Sequence, residues 1–585
     1  MHNKDRSGLR FKSIGSAKRD EAVESNIFLG AGVPLQHLYS FGGYDVLVVL
    51  RSPSCKATSN RWSWSFVSTD TKQGVNLTEG SVFKPLLVLS APIVLSQLMQ
   101  VGYNLIDTFW VGRLGADAVS TISFAWPIVF LLISLASGFT VAGTTLVSQN
   151  EGAGNTERVN HVAGQTITFT LVGSVVIAVL GYFLAPTLLE IVGTPAGTSI
   201  YADAVEYTRT IFLGIYMMFG FFMFQALLRG WGDTVTPMYL MLLGVVINLL
   251  LDPFLIFGFT DNALFDLLGL TGLESTLFGL TGFTGFGVQG AAIATVLARG
   301  TGAIVGMWLL LSSRVGIDLS PSDFRPERET IAKIVRIGAP SSVEQSMRAL
   351  GVTALTALIA LAGPNAVAAF GIGNRFNSLV FLPAIGLAQG TATAVGQNVG
   401  ASKFGRARRS VGLSSAVIVG ALAIVAVIAY VFAEPIVSIF VTGEGAASVI
   451  GIGVDYLRII GPTFLFLGVF RIINGAFKGS GNTATSMGLS IVSLWIFRLP
   501  VAYVLITSFD MGATGVWYAI AFSNVASALV AGAWFLRGTW ATSVVGSDDE
   551  EDDLVESSPE QDTASSDQPT GGPACEADCV PEHID

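Results

Sequence analysis

Residues 82–111 read VFKPLLVLSAPIVLSQLMQVGYNLIDTFWV, an apolar stretch long enough to cross the roughly 30 Å hydrocarbon layer of a bilayer. Near its end stands one acid, Asp107, and far downstream a second, Asp252, lies in another such stretch. An ionisable group at bilayer depth is costly and marks a functional site by default, and two carboxylates invite a cation or a proton.

Working outward, 51% of the chain is hydrophobic, 13% is charged and the mean hydropathy is +0.62. Apolar runs of about 20 residues recur where a soluble domain would alternate, so the expected fold is an all-α polytopic membrane protein. The 66 glycines fit close helix approach in lipid, as in Gly386-x-x-x-Gly390 and Gly396-x-x-x-Gly400. Cys55, Cys575 and Cys579 lie outside the apolar region, and His161 is the sole histidine between residues 38 and 582. That distribution argues against a disulfide framework, a zinc site or Ser-His chemistry.

Residues 1–80 form a polar extension without the order of a signal peptide, expected to be disordered or not native. Residues 81–314 make a first lobe, 315–336 a cytoplasmic linker and 337–540 a second lobe. Residues 541–585 form an acidic disordered tail containing the run Asp548 to Asp553. With a net charge of −10, that tail would suit a high-salt cytoplasm.

About twelve spans are expected, near 84–111, 118–149, 161–186, 204–229, 234–259, 287–313, 331–361, 366–398, 408–433, 452–478, 484–508 and 512–537. Basic loop residues such as Arg158, Arg229, Arg325, Lys403 and Lys478 fall on one side and only Arg113 on the other, which places that basic side and both termini in the cytoplasm.

The chain also repeats itself. Ser90-Ala91-Pro92 returns as Gly338-Ala339-Pro340, an offset of 340 − 92 = 248, and at that offset Gln97 meets Gln345 and Gly138 meets Gly386. Gln149-Asn150-Glu151-Gly152-Ala153 likewise meets Gln397-Asn398-Val399-Gly400-Ala401. Glu206-Tyr207-Thr208-Arg209 matches Asp455-Tyr456-Leu457-Arg458, and Arg229-Gly230-Trp231-Gly232-Asp233-Thr234 matches Lys478-Gly479-Ser480-Gly481-Asn482-Thr483 at 478 − 229 = 249. Six spans per half give two lobes related by a pseudo-two-fold axis along the membrane normal, with the substrate path between them.

From about Val82 to Arg537 the chain resembles the multidrug and toxic compound extrusion (MATE) family. The resemblance rests on the Pro92 to Asp107 span with Asp107-Thr108-x-x-Val111-Gly112, on Gly396-Gln397-Asn398-x-Gly400-Ala401, and on Leu228-Arg229-Gly230-x-Gly232-Asp233-Thr234. Asn248-x-x-x-Asp252-Pro253 and Gly290-Ala291-Ala292-x-Ala294-Thr295 look like the DinF-like branch, whose first lobe carries the coupling site. The resemblance implies a plasma-membrane antiporter that expels organic cations or lipophilic drugs in exchange for H⁺ or Na⁺. It implies no cofactor and no enzymatic role. The glycine-rich segment 259–286 and both tails depart from the pattern.

Geometry along ideal helices agrees with the carry-over. Asp107 lies 107 − 84 = 23 residues up the first span, roughly 35 Å, and Asp252 lies 252 − 234 = 18 residues up the fifth, roughly 27 Å. Thr295 sits only about 12 Å below the outer start of the descending sixth span. Asn248 and Asp252 share a helix face, as do Tyr103 and Asp107. The expected coupling set is therefore Asp107, Asn248, Asp252, Ala291 and Thr295, with Tyr103, Gln225 and Asp107 facing substrate. Hard oxygen ligands suit H⁺ or Na⁺. The bland alternatives make Asp107 a helix cap and Asp252 the prelude to a bend at Pro253.

Pro92 is the expected hinge, since a proline removes a backbone hydrogen bond and bends a helix; packing alone is the alternative. Glu344 and Arg348, four apart, read as an internal salt bridge. A lipid-linked oligosaccharide flippase shares this architecture but calls for a basic cleft, and an intramembrane aspartyl hydrolase would need acid motifs that Asp107 and Asp252 lack. No phosphate-binding Gly-x-x-x-x-Gly-Lys loop occurs, so an ion gradient should drive transport. The expected partners are small molecules and membrane lipids, without nucleic acid, and a two-lobed monomer suffices.

Overall fold

The computed structural model describes residues 38–41, 44–47, 74–194, 196–260, 262–441 and 445–545. Most of the expected N-terminal extension and nearly all of the acidic tail lie outside the described residues. Within residues 1–68, a separate unit, β1 (Leu38–Phe41) and β2 (Tyr44–Leu47) form an antiparallel hairpin that pairs Leu38 with Leu47 and Phe41 with Tyr44.

The second unit is helical. Its first lobe comprises α1 (Phe83–Gly112), α2 (Ala116–Gly152), α3 (Thr156–Val192), α4 (Ser199–Trp231) and α5 (Val235–Phe257). Two short helices, α6 (Ala263–Leu268) and α7 (Thr271–Thr281), precede α8 (Gly287–Leu311). The second lobe comprises α9 (Arg328–Leu361), α10 (Pro364–Gly400), α11 (Phe404–Val431), α12 (Ala433–Ser438), α13 (Ala446–Ile460), α14 (Phe464–Gly479), α15 (Thr483–Ile491), α16 (Leu499–Thr507) and α17 (Gly512–Leu536).

Among the described residues ten helices are long and apolar enough to cross a membrane, and an eleventh span arises if the bent α10 counts as one. The 34-residue α9 has the length to complete six spans per lobe, but its charged residues dilute its apolarity. The α13–α14 pair makes one expected span, and a π-helical stretch, Val492–Arg498, joins α15 to α16 in another. Burial sorts the helices by place. The α4 span is 72% buried and forms the axis of its lobe, whereas α3 is 22% buried and turns Leu171, Val175, Val179 and Phe183 outward, as a lipid-facing helix does.

The turns follow from their sequence. Gly232 takes a positive φ of 104° and closes α4 with its N–H on the carbonyls of Leu228 and Arg229, and Asp233 then accepts from the N–H groups of Val235 and Thr236 at 3.0 Å to start α5. Gly481, its repeat mate, has a φ of 83°. The linker is seated on α3: Gln165 donates to the carbonyl of Asp323 (2.8 Å) and accepts from the N–H of Glu327 (2.9 Å), and His161 meets Glu327 at 2.6 Å. Burial of the Glu327 carboxylate opposes its ionisation, but the Thr330 hydroxyl, then His161 and Arg158, outweigh this and hold it below the usual carboxylate range. Residues 74–80, assigned by sequence to the extension, instead belong to the helical unit. Arg406 donates to the carbonyls of Leu77 (2.8 Å), Glu79 (2.6 Å) and Gly80 (2.8 Å).

The two lobes meet along α1, α2, α9 and α10. A Cβ on Gly138 would lie 2.3 Å from the backbone nitrogen of Ser342, one on Gly152 1.9 Å from the carbonyl of Gln397, and one on Gly400 1.8 Å from the carbonyl of Gln149. Only glycine lets these backbones touch. Thr145 donates to the Lys478 carbonyl (2.8 Å) and Ser342 to the Leu135 carbonyl (2.8 Å). Among the described residues, the side-chain hydrogen bonds between lobes all lie from mid-span towards the end that carries Arg229 and Lys478.

Candidate functional site

The site forms in the first lobe, away from that seam, where α1, α4, α5 and α8 meet. Its frame is the contact between α5 and α8: a Cβ on Gly290 would lie 2.2 Å from the Leu255 carbonyl, and the N–H of Phe286 donates to that same carbonyl at 2.8 Å. This brings Thr295 of α8 beside α1, where the Tyr103 hydroxyl donates to it at 2.9 Å.

The acids sit around that bond. Asn248 and Asp252 are fully buried on one face of α5, and the Asn248 amide donates to Asp252 Oδ1 at 2.8 Å. Asp252 Oδ2, Asn248 Oδ1 and Asp107 Oδ1 are all buried without a hydrogen-bond partner. Asp107 lies one turn beyond Tyr103 on α1 and is close enough to Asp252 for their charges to act on one another. Tyr103 and the buried Tyr207 of α4 lie within reach of both. Buried polar oxygens without donors are uncommon and costly. Three such oxygens near one another are of the type that a proton or a hard cation would satisfy.

A guanidinium supports the pocket from below. Arg299, one turn past Thr295, is buried with its Cζ 4.6 Å from the Tyr103 ring centroid and 5.0 Å from that of Phe221. It donates to Gln100 Oε1 at 2.6 Å and points at Met241 Sδ at 3.3 Å, and it pairs with neither acid. The positive charge is thus spent on a phenol face and an amide, leaving the carboxylates free.

The described residues of the segment 259–286, open in the sequence reading, fold back on the C-terminal end of α5. Asn262 donates to the carbonyls of Pro253 (2.8 Å) and Gly258 (2.7 Å), and its own N–H donates to Glu274. Phe259 joins by its N–H to the Phe283 carbonyl at 2.9 Å. The last turn of α5 after Asp252 is therefore tied to the insert by the Asn262 side chain.

The structure brings together Tyr103, Asp107, Asn248, Asp252 and Thr295. Ala291 packs instead in the apolar cluster with Trp110, Val111 and Ile256, one turn from Thr295. Gln225 is buried on α4 but lies 225 − 207 = 18 residues from Tyr207, roughly 27 Å along the helix, so it does not join the pocket. Pro92 lies within the unbroken α1, its carbonyl taken by the Ser96 hydroxyl at 2.8 Å. Met218, Phe219, Phe221 and Met223 are buried packing residues. Sequence reasoning missed Gln100 and Tyr207 and left Arg299 unassigned, although Tyr207 sits inside the quoted repeat, matched to the equally buried Tyr456.

One expectation is overturned in the second lobe. Glu344 does not pair with Arg348. Lys478 of α14 reaches it at 3.0 Å, with Ser486 at 3.0 Å and Ser490 at 3.1 Å from α15, so its partners come from across the lobe and not from its helix neighbour.

Comparison with known proteins agrees with this architecture. The MatE family profile matches residues 92–254 and 340–504, one copy per lobe. A probable multidrug resistance protein of Bacillus subtilis, YoeA, is 31% identical over 76% of this chain and 91% of its own length. A probable multidrug resistance protein, NorM, of Thermotoga maritima is 28% identical over 78% of this chain and 93% of its own. The solved outward-facing conformation of a multidrug resistance MATE family transporter of the MOP superfamily superposes with a TM-score of 0.70 at 25% identity, covering 79% of this chain and 96% of that one. With two family domains, matched lobes and a carboxylate pocket inside membrane-length helices, the chain belongs to the MatE family of membrane transporters.

Proposed function

We propose that this transporter is a secondary antiporter of the plasma membrane that exports organic cations or lipophilic drugs in exchange for H⁺ or Na⁺. The observation that carries the reading is the first-lobe pocket: the buried Asp252 and Asn248 and the half-buried Asp107, each with a buried oxygen that has no hydrogen-bond partner, and no ion pair. A proton or Na⁺ would be held by Asp107, Asn248 and Asp252, with Thr295 and Tyr103 as neighbours. Names of the relatives support drug-like cargo. The positive-inside rule supports reading the end with the basic loops as cytoplasmic, and on that reading the seam closes the inward side. Binding of the coupling ion removes negative charge from the pocket and lets α1 repack about Pro92, which expels cargo outward.

The test is efflux of a fluorescent organic cation from proteoliposomes under an imposed pH or Na⁺ gradient. Gradient-driven efflux that is lost in Asp107→Asn establishes coupled export and names the ion. Efflux that persists in Asp107→Asn overturns the role of the pocket.

A further inference from the structure

The second lobe contains the counterpart of this pocket with its polarity inverted. Arg348 stands where the first lobe has Gln100 (348 − 100 = 248), and Arg471 stands where it has Phe222 (471 − 222 = 249). Gln100 and Phe222 are contacts of Arg299 in the first lobe. The acids have no echo, since Leu355 and Val501 occupy the places of Asp107 and Asp252.

Arg348 and Arg471 converge from α9 and α14 on one ring of α10, with Cζ atoms 5.6 Å and 5.0 Å from the Phe381 centroid. A third guanidinium stands near: Arg498 donates to Ser523 at 2.7 Å and to Asn524 Oδ1 at 2.8 Å. Arg471 feels the charges of Arg348 and Arg498. Among the described residues the acid whose charge reaches Arg348 and Arg471 is Glu344, and its hydrogen bonds go to Lys478 and two serines. Among the described residues neither Arg348 nor Arg471 donates a hydrogen bond or meets a carboxylate, and Arg471 Nε is buried without a partner. Counting three arginines, one lysine and one glutamate, the cluster carries 3 + 1 − 1 = 3 positive charges.

Guanidinium groups inside a membrane protein are costly unless paired, and they mark pathways and ligand sites. Both are partly accessible in the lobe interior. Two guanidinium forks within about 6 Å of one aromatic ring present planar donors suited to a two-oxygen acceptor. We propose that the second lobe holds an oxyanion site, formed by Arg348 and Arg471 over Phe381 with Arg498 behind, which takes the carboxylate or phosphate end of an amphiphilic ligand. The apolar remainder of such a ligand lies against Phe381. This goes beyond the cation exchange of the first lobe and does not depend on it.

The test uses the full chain in nanodiscs of zwitterionic lipid, with carboxyfluorescein as the probe and fluorescence anisotropy as the readout. Wild type should bind the dye, and Arg348→Gln with Arg471→Gln should weaken binding at least tenfold. Asp107→Asn should leave it unchanged, so loss of cation efflux and loss of anion binding are separate results. Arg471→Gln alone, whose guanidinium makes no hydrogen bond, serves if the double variant does not fold, and should weaken binding several-fold. Repeating the titration with phosphatidylglycerol in the disc, and with inorganic phosphate, identifies the source. Competition by the lipid assigns a headgroup and competition by phosphate a soluble anion, either supporting the site. Equal dye affinity in wild type and in the folded variants overturns it.

Discussion

Gln149 and Gln397 occupy the same position in the two halves, and each donates its amide across the seam to the opposite lobe. Gln149 Nε2 reaches the Gly479 carbonyl at 3.0 Å, and Gln397 Nε2 reaches the carbonyls of Gly230 and Trp231 at 3.3 Å. Gln149 Oε1 also accepts from the N–H of Val544 at 2.9 Å, which ties the chain after α17 into the same lock. The carbonyls reached belong to the two repeated turns, so a helix end of one half reads the turn of the other.

Replacing both glutamines with alanine should loosen that lock while leaving each lobe folded. A buried hydrogen bond contributes about 0.5–1.5 kcal/mol net, so losing the pair should shift the lobe equilibrium by about tenfold or more towards separation. Distances between spin labels at positions 157 and 403 report it. An unchanged distance distribution would remove the glutamines from gating.

Gly400→Ala should prevent the seam from closing. The new Cβ would fall 1.8 Å from the Gln149 carbonyl oxygen and 2.6 Å from its carbon, both backbone atoms that cannot rotate away. Alanine is also the better helix former by about 1 kcal/mol, so stability of α10 itself should hold. Transport should fall at least tenfold with normal yield, whereas Gly405→Ala, where a Cβ meets nothing within 4 Å, should transport as wild type.

Glu344→Gln should cost about 3 kcal/mol or more, because it strands Lys478 inside the second lobe. Adding Lys478→Met should recover much of that loss. Thermal unfolding in detergent checks both, and a single variant as stable as wild type would contradict the pairing.

Acid should release the linker from α3. The Glu327 carboxylate is held below its ordinary range, first by Thr330 and then by His161. Its folded value is thus depressed relative to the unfolded chain. Its contribution is present above the unfolded value of about 4.3 and disappears as pH falls through the lower folded value. Glu327→Gln should lower the stability of the linker contact at neutral pH and flatten the acid limb of the profile, so that variant and wild type converge at low pH, as measured by proteolysis of the linker.

The fold was legible because carboxylates and repeated turns stand out against apolar helices. Asp107, Asn248 and Asp252 could be placed in one half of the first lobe, on faces shared with Tyr103 and with each other, by counting residues. Ala291 and Gln225 could not, since an apolar helix in lipid has little amphipathic signal to show which face turns inward. Arg348 shows another limit. A four-residue spacing permits a salt bridge to Glu344, but Lys478 and two serines, more than a hundred residues away, supply better geometry. Asn262 was hidden for a similar reason: its role depends on the carbonyls of Pro253 and Gly258, and no local pattern records where an insert folds back.

The backbone contacts at Gly152 and Gly400 imply a history as well as a gate. Each half supplies both a glycine notch and the glutamine carbonyl that fills the other notch, which is the arrangement of a surface that matches itself under two-fold rotation. The single chain therefore behaves as a dimer whose protomers are tied by residues 315–327. Cut within that tether and expressed as separate polypeptides, the halves retain everything needed to find each other in the bilayer.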